Sequence, residues 1–351
     1  MIPVFDGHND FLTRLWSDPA ARDAIWRGQA AGGHLDLPRM RRGGFRGGFF
    51  AIYVPSPSQD PDTVARTMAQ MSAPPYHQPL PEPVDMRDAL PIAVAQMGHL
   101  LWLERQGDLD ICRTAAQIGR SMAAGRIAAV MHMEGAEAIG PDLDALYVWH
   151  QAGLRSLGPV WSRSTVFGHG VPFAFPASPD TGPGLTPAGH DLIRACDELR
   201  IMVDLSHLNE KGFDDVARIS DRPLVATHSN AHAICPSSRN LTDRQLAVIA
   251  ERGGMVGLNF ATPFLREDGR RADCGWEVML RHLDHLLAHL GEDHVGFGSD
   301  FDGADIPRCL NDSAGLQGLI GAMARHGYGP ALIEKIAYKN WIALLERVWG
   351  E

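Results

Sequence analysis

His8 and Asp10 stand as H-x-D at the end of the apolar run IPVFDG (2–7). A spacing of two puts both side chains on one face of an extended chain, where they can grip one ion together. Four more donors follow or close short apolar runs in the same manner: Glu134 after IAAVMHM (127–133), His207 after IMVDLS (201–206), His228 closing PLVATH (223–228) and Asp300 closing HVGFGSD (294–300). Any one of them is more often a satisfied polar residue or a helix cap than a ligand. Jointly, three imidazoles and three carboxylates gathered at one mouth without cations would bury several costly charges. Imidazole with carboxylate and no thiolate suits zinc or a similar divalent ion used in hydrolysis. A single catalytic zinc takes three protein ligands and leaves one position open. Five candidates remain when Asp300 is kept for proton transfer, so the set predicts two zinc ions: His8 and Asp10 on one, His207 and His228 on the other, Glu134 bridging. Asp10, Glu134, Asp300 and a bridging hydroxide then balance the four positive charges.

The elements that must position these groups are legible as eight short runs rich in Val, Ile and Phe. Besides the four above they are GFFAIYV (48–54), LRSLGPV (154–160), GMVGLNF (254–260) and the opening IPVFDG. Amphipathic stretches at 86–106, 142–152, 187–199, 243–251, 276–290 and 330–349 predict helices between and after them. Strands alternating with helices imply right-handed crossovers and a parallel sheet. Eight of them predict a closed (β/α)8 TIM barrel over residues 1–351 as a single domain, with insertions at its mouth. Two insertions stand out. Residues 14–46 carry an Arg and Gly cluster (Arg39, Arg41, Arg42, Arg46) that reads as a solvated surface or a subunit contact. Residues 161–187, rich in Pro, Gly and aromatics, follow a strand and would cover the substrate on the C-terminal face. Residues 72–83 read as an irregular connector.

The chain resembles the membrane (renal-type) dipeptidase family, metallopeptidase family M19 of the amidohydrolase superfamily. The matching motifs are DGHND (6–10), MEGAE (133–137), VDLSH (203–207), THSNAHAICPSSRNLTD (227–243) and GFGSDFDG (296–303), in family order, with ALIEKIAYKNWIALLERV as the closing segment. The resemblance implies an amidohydrolase-like barrel, a binuclear zinc site with a bridging glutamate, hydrolysis of free dipeptides that tolerates a D-residue at the carboxyl end, and a homodimer. It also implies that Arg239 meets the substrate carboxylate, which a planar guanidinium can do with two hydrogen bonds. In the mechanism that follows, a bridging hydroxide attacks the scissile carbonyl, and Asp300 takes its proton and passes it to the leaving amine. Two positions depart from the family pattern. Trp161 stands where the renal-type enzyme has a histidine that steadies the tetrahedral intermediate, so Trp161, His169 and Arg163 are taken as substrate contacts from the same loop. Glu137 also replaces a histidine.

Composition closes off other classes. Against 42 Asp plus Glu stand 32 Lys plus Arg, a formal charge of −10, which argues against a general nucleic-acid binder. No apolar run reaches the ~20 residues of a membrane span, and the amino terminus has no basic-then-apolar signal, so a cytoplasmic protein without membrane attachment is expected. Five scattered cysteines fit neither a disulfide framework nor a zinc ribbon. Dinucleotide, P-loop and serine-hydrolase motifs are missing. His282, His285 and His289 form one helical stripe that reads as packing or solvent, and His132 reads as core or as support behind the ligands. His232, four residues after His228, could lie near the mouth. Two readings compete with a dipeptidase: the same site cleaving another amide or a lactone, and a metal-binding barrel without catalysis.

Overall fold

The computed structural model describes residues 1–57, 66, 67 and 69–350. The eight apolar runs form eight parallel strands: β1 (Val4–Asn9), β2 (Phe45–Tyr53), β3 (Ile127–Glu134), β4 (Leu154–Gly158), β5 (Met202–Val203), β6 (Val225–Ala226), β7 (Met255–Asn259) and β8 (Val295–Gly298). β1 pairs with β2 and β8, and the ladder continues through β3, β4 and β5 on one side and through β7 and β6 on the other. The last seam, between β5 and β6, is joined by a parallel bridge from Asp204 to Val225 and by the Leu205 amide donating to the Val225 carbonyl at 2.8 Å. The result is a nearly closed (β/α)8 barrel, as the alternation of strands and helices required.

The period-two pattern of β3 shows how the barrel sorts its side chains. Ile127, Ala129, Met131 and Met133 pack outward with the helices, while Ala128 and Val130 join Phe5, Phe49, Met255 and Trp341 in a second cluster inside the strands. Continuing that phase brings His132 and Glu134 to the interior near the strand's end. Trp341, on the last helix Asn340–Trp349, fills the N-terminal end: its indole N–H donates to the Phe297 carbonyl at 2.9 Å and its ring meets Phe49 at 5.2 Å. Losing such a fully buried ring would cost about 3–5 kcal/mol. At the other end the wall is drawn tight around Thr227. A Cβ on Gly257 or Gly298 would sit 2.0 or 1.9 Å from the Thr227 carbonyl oxygen, so only glycine lets β7 and β8 close on the segment that carries His228.

The expected helices at 86–106, 142–152, 187–199, 243–251 and 276–290 are present as Met86–Arg105, Asp144–Ala152, Pro187–Leu199, Asp243–Glu251 and Trp276–Leu290. The expected helix at 330–349 forms three consecutive segments, with a π turn at Lys335–Lys339 between Pro330–Glu334 and Asn340–Trp349. The connector at 72–83 is not wholly irregular: Tyr76–His77 pairs antiparallel with Ala174–Phe175, tying the 161–187 insertion to the loop after β2. In the other insertion Arg39 pairs with Asp36 and Arg41 with Asp108, both at 2.6 Å, so two arginines of the basic cluster have carboxylate partners within the chain. Among the described residues no helix is long and apolar enough to cross a membrane.

Candidate active site

The six strand-end groups converge. Glu134 is the hub: its Oε1 lies 3.7 Å from His8 Nε2, 3.1 Å from His207 Nε2 and 3.4 Å from His228 Nε2. His8 Nε2 is also 3.3 Å from Asp10 Oδ2, and the His207 and His228 Nε2 atoms are 3.0 Å apart. The His8 and His228 rings stack with centroids 3.8 Å apart. Single ligand atoms of His8, Asp10 and Asp300 all lie within 4.8 Å of one another, as do those of His8, Glu134 and His228. Asp300 and His207 hold positive φ values of 59° and 70°, uncommon for non-glycine residues, which marks both strand ends as held in place by their surroundings. Gly303 makes room beside the carboxylates, since a Cβ there would stand 2.1 Å from Asp10 Oδ2 and 2.6 Å from Asp300 Oδ1.

Behind the hub, each pair of strand-end groups has its own brace. Asp6, two residues before His8, accepts from the Ser299 amide and hydroxyl, both at 2.7 Å, which locks β1 to the end of β8 beside Asp300. Asp204, three residues before His207, accepts from the Thr227 amide at 2.8 Å, the Thr227 hydroxyl at 2.5 Å and the Ser206 amide at 3.0 Å, which locks the ends of β5 and β6 together. The outer ring nitrogens are fixed too: His228 Nδ1 meets Thr227 Oγ1 and His207 Nδ1 meets Ser162 Oγ, each at 2.8 Å. His132 stands behind His8, edge to face at 5.5 Å, with its Nδ1 on Ser156 Oγ at 2.8 Å. Asn259, at the end of β7, donates to Asp300 Oδ2 at 2.9 Å.

The electrostatics follow from burying three carboxylates and three imidazoles together. Burial alone would lower His8, but Glu134, Asp10 and Asp300 around it outweigh that and raise it to about 10. Burial raises Glu134 and Asp300, with Asp10 beside them adding to the rise. His207 and His228 are driven well below the usual histidine range by burial, then by Arg239 and His8. The donors fit divalent cations: three imidazoles point Nε2 lone-pair positions at one carboxylate oxygen, two of the three have their Nδ1 held by a hydroxyl, and there is no thiolate.

A whole-chain comparison settles the family. The family model described as membrane dipeptidase (peptidase family M19) matches residues 1–351. The chain belongs to the M19 dipeptidase family. It is 64% identical, with a TM-score of 0.97 and 99% of each chain covered, to the crystal structure of a metallo peptidase from Rhodobacter sphaeroides liganded with a phosphinate mimic of the dipeptide L-Ala-D-Ala. A second crystal structure, of the dipeptidase AC of family M19, is 63% identical with a TM-score of 0.97, covering 100% of this chain and 99% of that one. An uncharacterized protein from the pqqA 5' region of Klebsiella pneumoniae is 49% identical over 249 residues, 70% of this chain and 91% of its own length. As an M19 member the chain is a metal-dependent hydrolase of peptide bonds, with a dipeptide as the class of substrate.

Against this M19 frame, the loop residues sort differently from the strand-end residues. Arg239 is buried beside the imidazole wall, donating from Nε to His207 Nδ1 at 3.1 Å, from Nη1 to Ser229 Oγ at 3.2 Å and from Nη2 to the His228 carbonyl at 3.0 Å. Trp161 borders the mouth, 5.8 Å from the His207 ring, and continues into an aromatic wall with Tyr53 at 5.1 Å and Phe173 at 5.6 Å. Phe173 in turn meets Phe264 at 5.6 Å. His169 Nδ1 is held by Ser164 Oγ at 3.1 Å. Arg163 corrects the expectation of a substrate contact. It is fully buried, and its nitrogens reach Glu137 Oε1 at 2.6 and 3.0 Å, the Val54 carbonyl at 2.7 Å and Ser56 Oγ at 2.9 Å. The same contacts explain Glu137: a buried ion pair pins the loop that carries Trp161 to the ends of β2 and β3. His232 turns away as well, its Nε2 donating to the Ala177 carbonyl at 3.0 Å.

Sequence reasoning missed Asn259, Asp6, Asp204 and the aromatic wall. Asn259 was reachable by the rule that found the others, as a polar residue closing GMVGLN. Asp6 and Asp204 lie inside motifs already singled out, but their bracing role depends on which strand is adjacent. Tyr53, Phe173 and Phe264 carry no such signal, because aromatics at a strand end or in a loop read as core.

Proposed function

We propose that the chain is a binuclear zinc dipeptidase acting on free dipeptides, including those with a D-residue at the carboxyl end. The observation that carries this reading is the convergence of His8, His207 and His228 on a single oxygen of Glu134. His8 and Asp10 would hold one ion, His207 and His228 the other, with Glu134 shared between them. When bound, the ions supply Lewis acidity, polarising the scissile carbonyl and acidifying a water toward neutral pH.

The chain's own groups supply the rest. Ligation through Nε2 puts the His207 ring proton on Nδ1, where Ser162 Oγ accepts it. Arg239 Nε is then left for another acceptor, and the carboxylate of a dipeptide matches its planar fork. A guanidinium already buried loses no further hydration when that carboxylate arrives, so the free carboxyl end becomes a condition of binding. Asp300, beside Asp10 and oriented by Asn259, is the group within reach of a proton released at the ions, and it would carry that proton to the leaving amine. Trp161 stands where the renal-type enzyme has a histidine and offers only an indole N–H as a polar group, and with Tyr53 and Phe173 it would supply an apolar surface for the substrate.

The test joins metal content to turnover. The purified protein should hold about two zinc ions per chain and hydrolyse L-L and L-D dipeptides, and amidation of the substrate's carboxyl end should abolish cleavage. Two ions with equal cleavage of free and amidated substrates would move the assignment to a general amidase. A protein that takes up no zinc would remove the reading altogether.

A further inference from the structure

A second group of metal-type side chains lies outside the barrel, where helix Asp243–Glu251 packs beside helix Trp276–Leu290. The spacing of His285 and His289 is i, i+4, which stacks both rings on one helical face. Their centroids are 4.4 Å apart. Both point Nε2 at one oxygen of the neighbouring helix: Asp243 Oδ1 is 2.7 Å from His285 and 3.8 Å from His289. One ligand atom from each of the three residues lies within 4.8 Å of the other two. Ligands at zinc distances of ~2.1 Å in a tetrahedron stand about 3.4 Å from one another. The observed separations bracket that value.

A hydrogen bond to the carboxylate accounts for His285 but not for His289, since 3.8 Å is beyond hydrogen-bond range. The nearby cations do not oppose a metal ion. Arg244, next in sequence to Asp243, is turned to Glu210 at 2.7 Å and Asp214 at 2.8 Å, and Arg281 is turned to Glu267 at 3.2 Å. The third histidine of the stripe, His282, is committed elsewhere: it is buried, accepting the Ala231 amide on Nδ1 and donating from Nε2 to the Leu265 carbonyl. It fixes the helix one turn before the pair.

The geometry points to a peripheral site for zinc or a similar borderline divalent ion, held by Asp243, His285 and His289 and completed by water, that clips two adjacent barrel helices together. Two imidazoles and a carboxylate select such an ion over magnesium or calcium, which prefer all-oxygen shells. The clip differs from the buried centre in being partly exposed, so its ion exchanges with the medium.

Equilibrium dialysis of the zinc-saturated protein tests it by difference. The wild-type chain should hold one zinc ion more than the His285→Ala/His289→Ala double variant, and Asp243→Asn should weaken that extra ion by about 10–100-fold, at least the cost of losing an outer-shell partner. Added zinc should raise Tm in the wild type by more than in the double variant. His326→Ala, which breaks an exposed contact of a single histidine with Asp284 at 2.8 Å, is the control and should leave the count unchanged. Equal counts in the wild type and the double variant would overturn the site. Because the readout is a difference, loss of the barrel ions would lower all variants alike and leave this result readable.

Discussion

The two walls of the barrel mouth use opposite chemistry. On the β1 and β8 wall, His8 stands among Glu134, Asp10 and Asp300, three carboxylates that favour positive charge at that place. On the β5 and β6 wall, His207 and His228 stand beside Arg239 with no carboxylate of their own except the shared Glu134, and burial with these neighbours keeps both rings neutral. One wall gathers negative charge and the other excludes protons. On the proposed function, the proton is handled on the acidic wall and the substrate's negative end is received on the one that carries Arg239. Glu134, at the end of β3, is the only carboxylate within 4.0 Å of imidazoles from both walls among the described residues.

The largest test of this division is Asp300→Asn. It removes the proton carrier from the acidic wall while keeping its shape and its contact with Asn259, so kcat should fall by about 10²–10⁴ with zinc content unchanged. Loss of zinc along with activity would make Asp300 a ligand and merge the two roles. Next is Arg239→Met on the opposite wall. Truncating one partner of a buried charged contact costs about 2–5 kcal/mol. The loss should fall on kcat/KM for free dipeptides, while amidated ones, already poor, should change little. Equal losses on both would place the substrate carboxylate elsewhere.

What the sequence shows of this site follows the strand rule. His8, Asp10, Glu134, His207, His228 and Asp300 lie at strand ends, and a parallel barrel sends all strand ends to one face, so their meeting could be read before any coordinates. The barrel itself was legible for the same reason, from eight apolar runs of the right length. Arg163 was misread because a loop arginine near a site looks the same in sequence whether it faces the substrate or, as here, Glu137. Tyr53 and Phe173 were missed because their wall is made only when the 161–187 insertion folds against β2, a contact that no local pattern encodes.

The braces give a smaller and more selective effect. Asp6 ties β1 to β8 through Ser299, and Asp204 ties β5 to β6 through Thr227. Losing an outer-shell partner typically costs about 10–100-fold in metal affinity. Asp6→Asn should weaken the ion on His8 and Asp10, and Asp204→Asn the ion on His207 and His228. Stepwise removal with a chelator, followed by counting of retained zinc, separates the two. If both variants lose the same ion first, the walls are not independently braced and the comparison fails.

The weakest lever reaches the basic wall from outside. His282 accepts the Ala231 amide, three residues beyond His228, and donates to the Leu265 carbonyl. A neutral imidazole can do both at once; an imidazolium cannot accept. Burial lowers this histidine from 6.5 to about 4. Between those values the unfolded chain binds a proton that the folded chain refuses, so stability falls as the pH falls through this window, by at most about 1.4 kcal/mol per pH unit from this residue. Above pH 6.5 the contribution is complete and flat. His282→Gln removes the titration, so its urea midpoint should depend less steeply on pH between 6.5 and 4 than that of the wild type, although it starts lower at pH 7. Parallel pH profiles would mean that the acid sensitivity of the fold lies elsewhere than in His282.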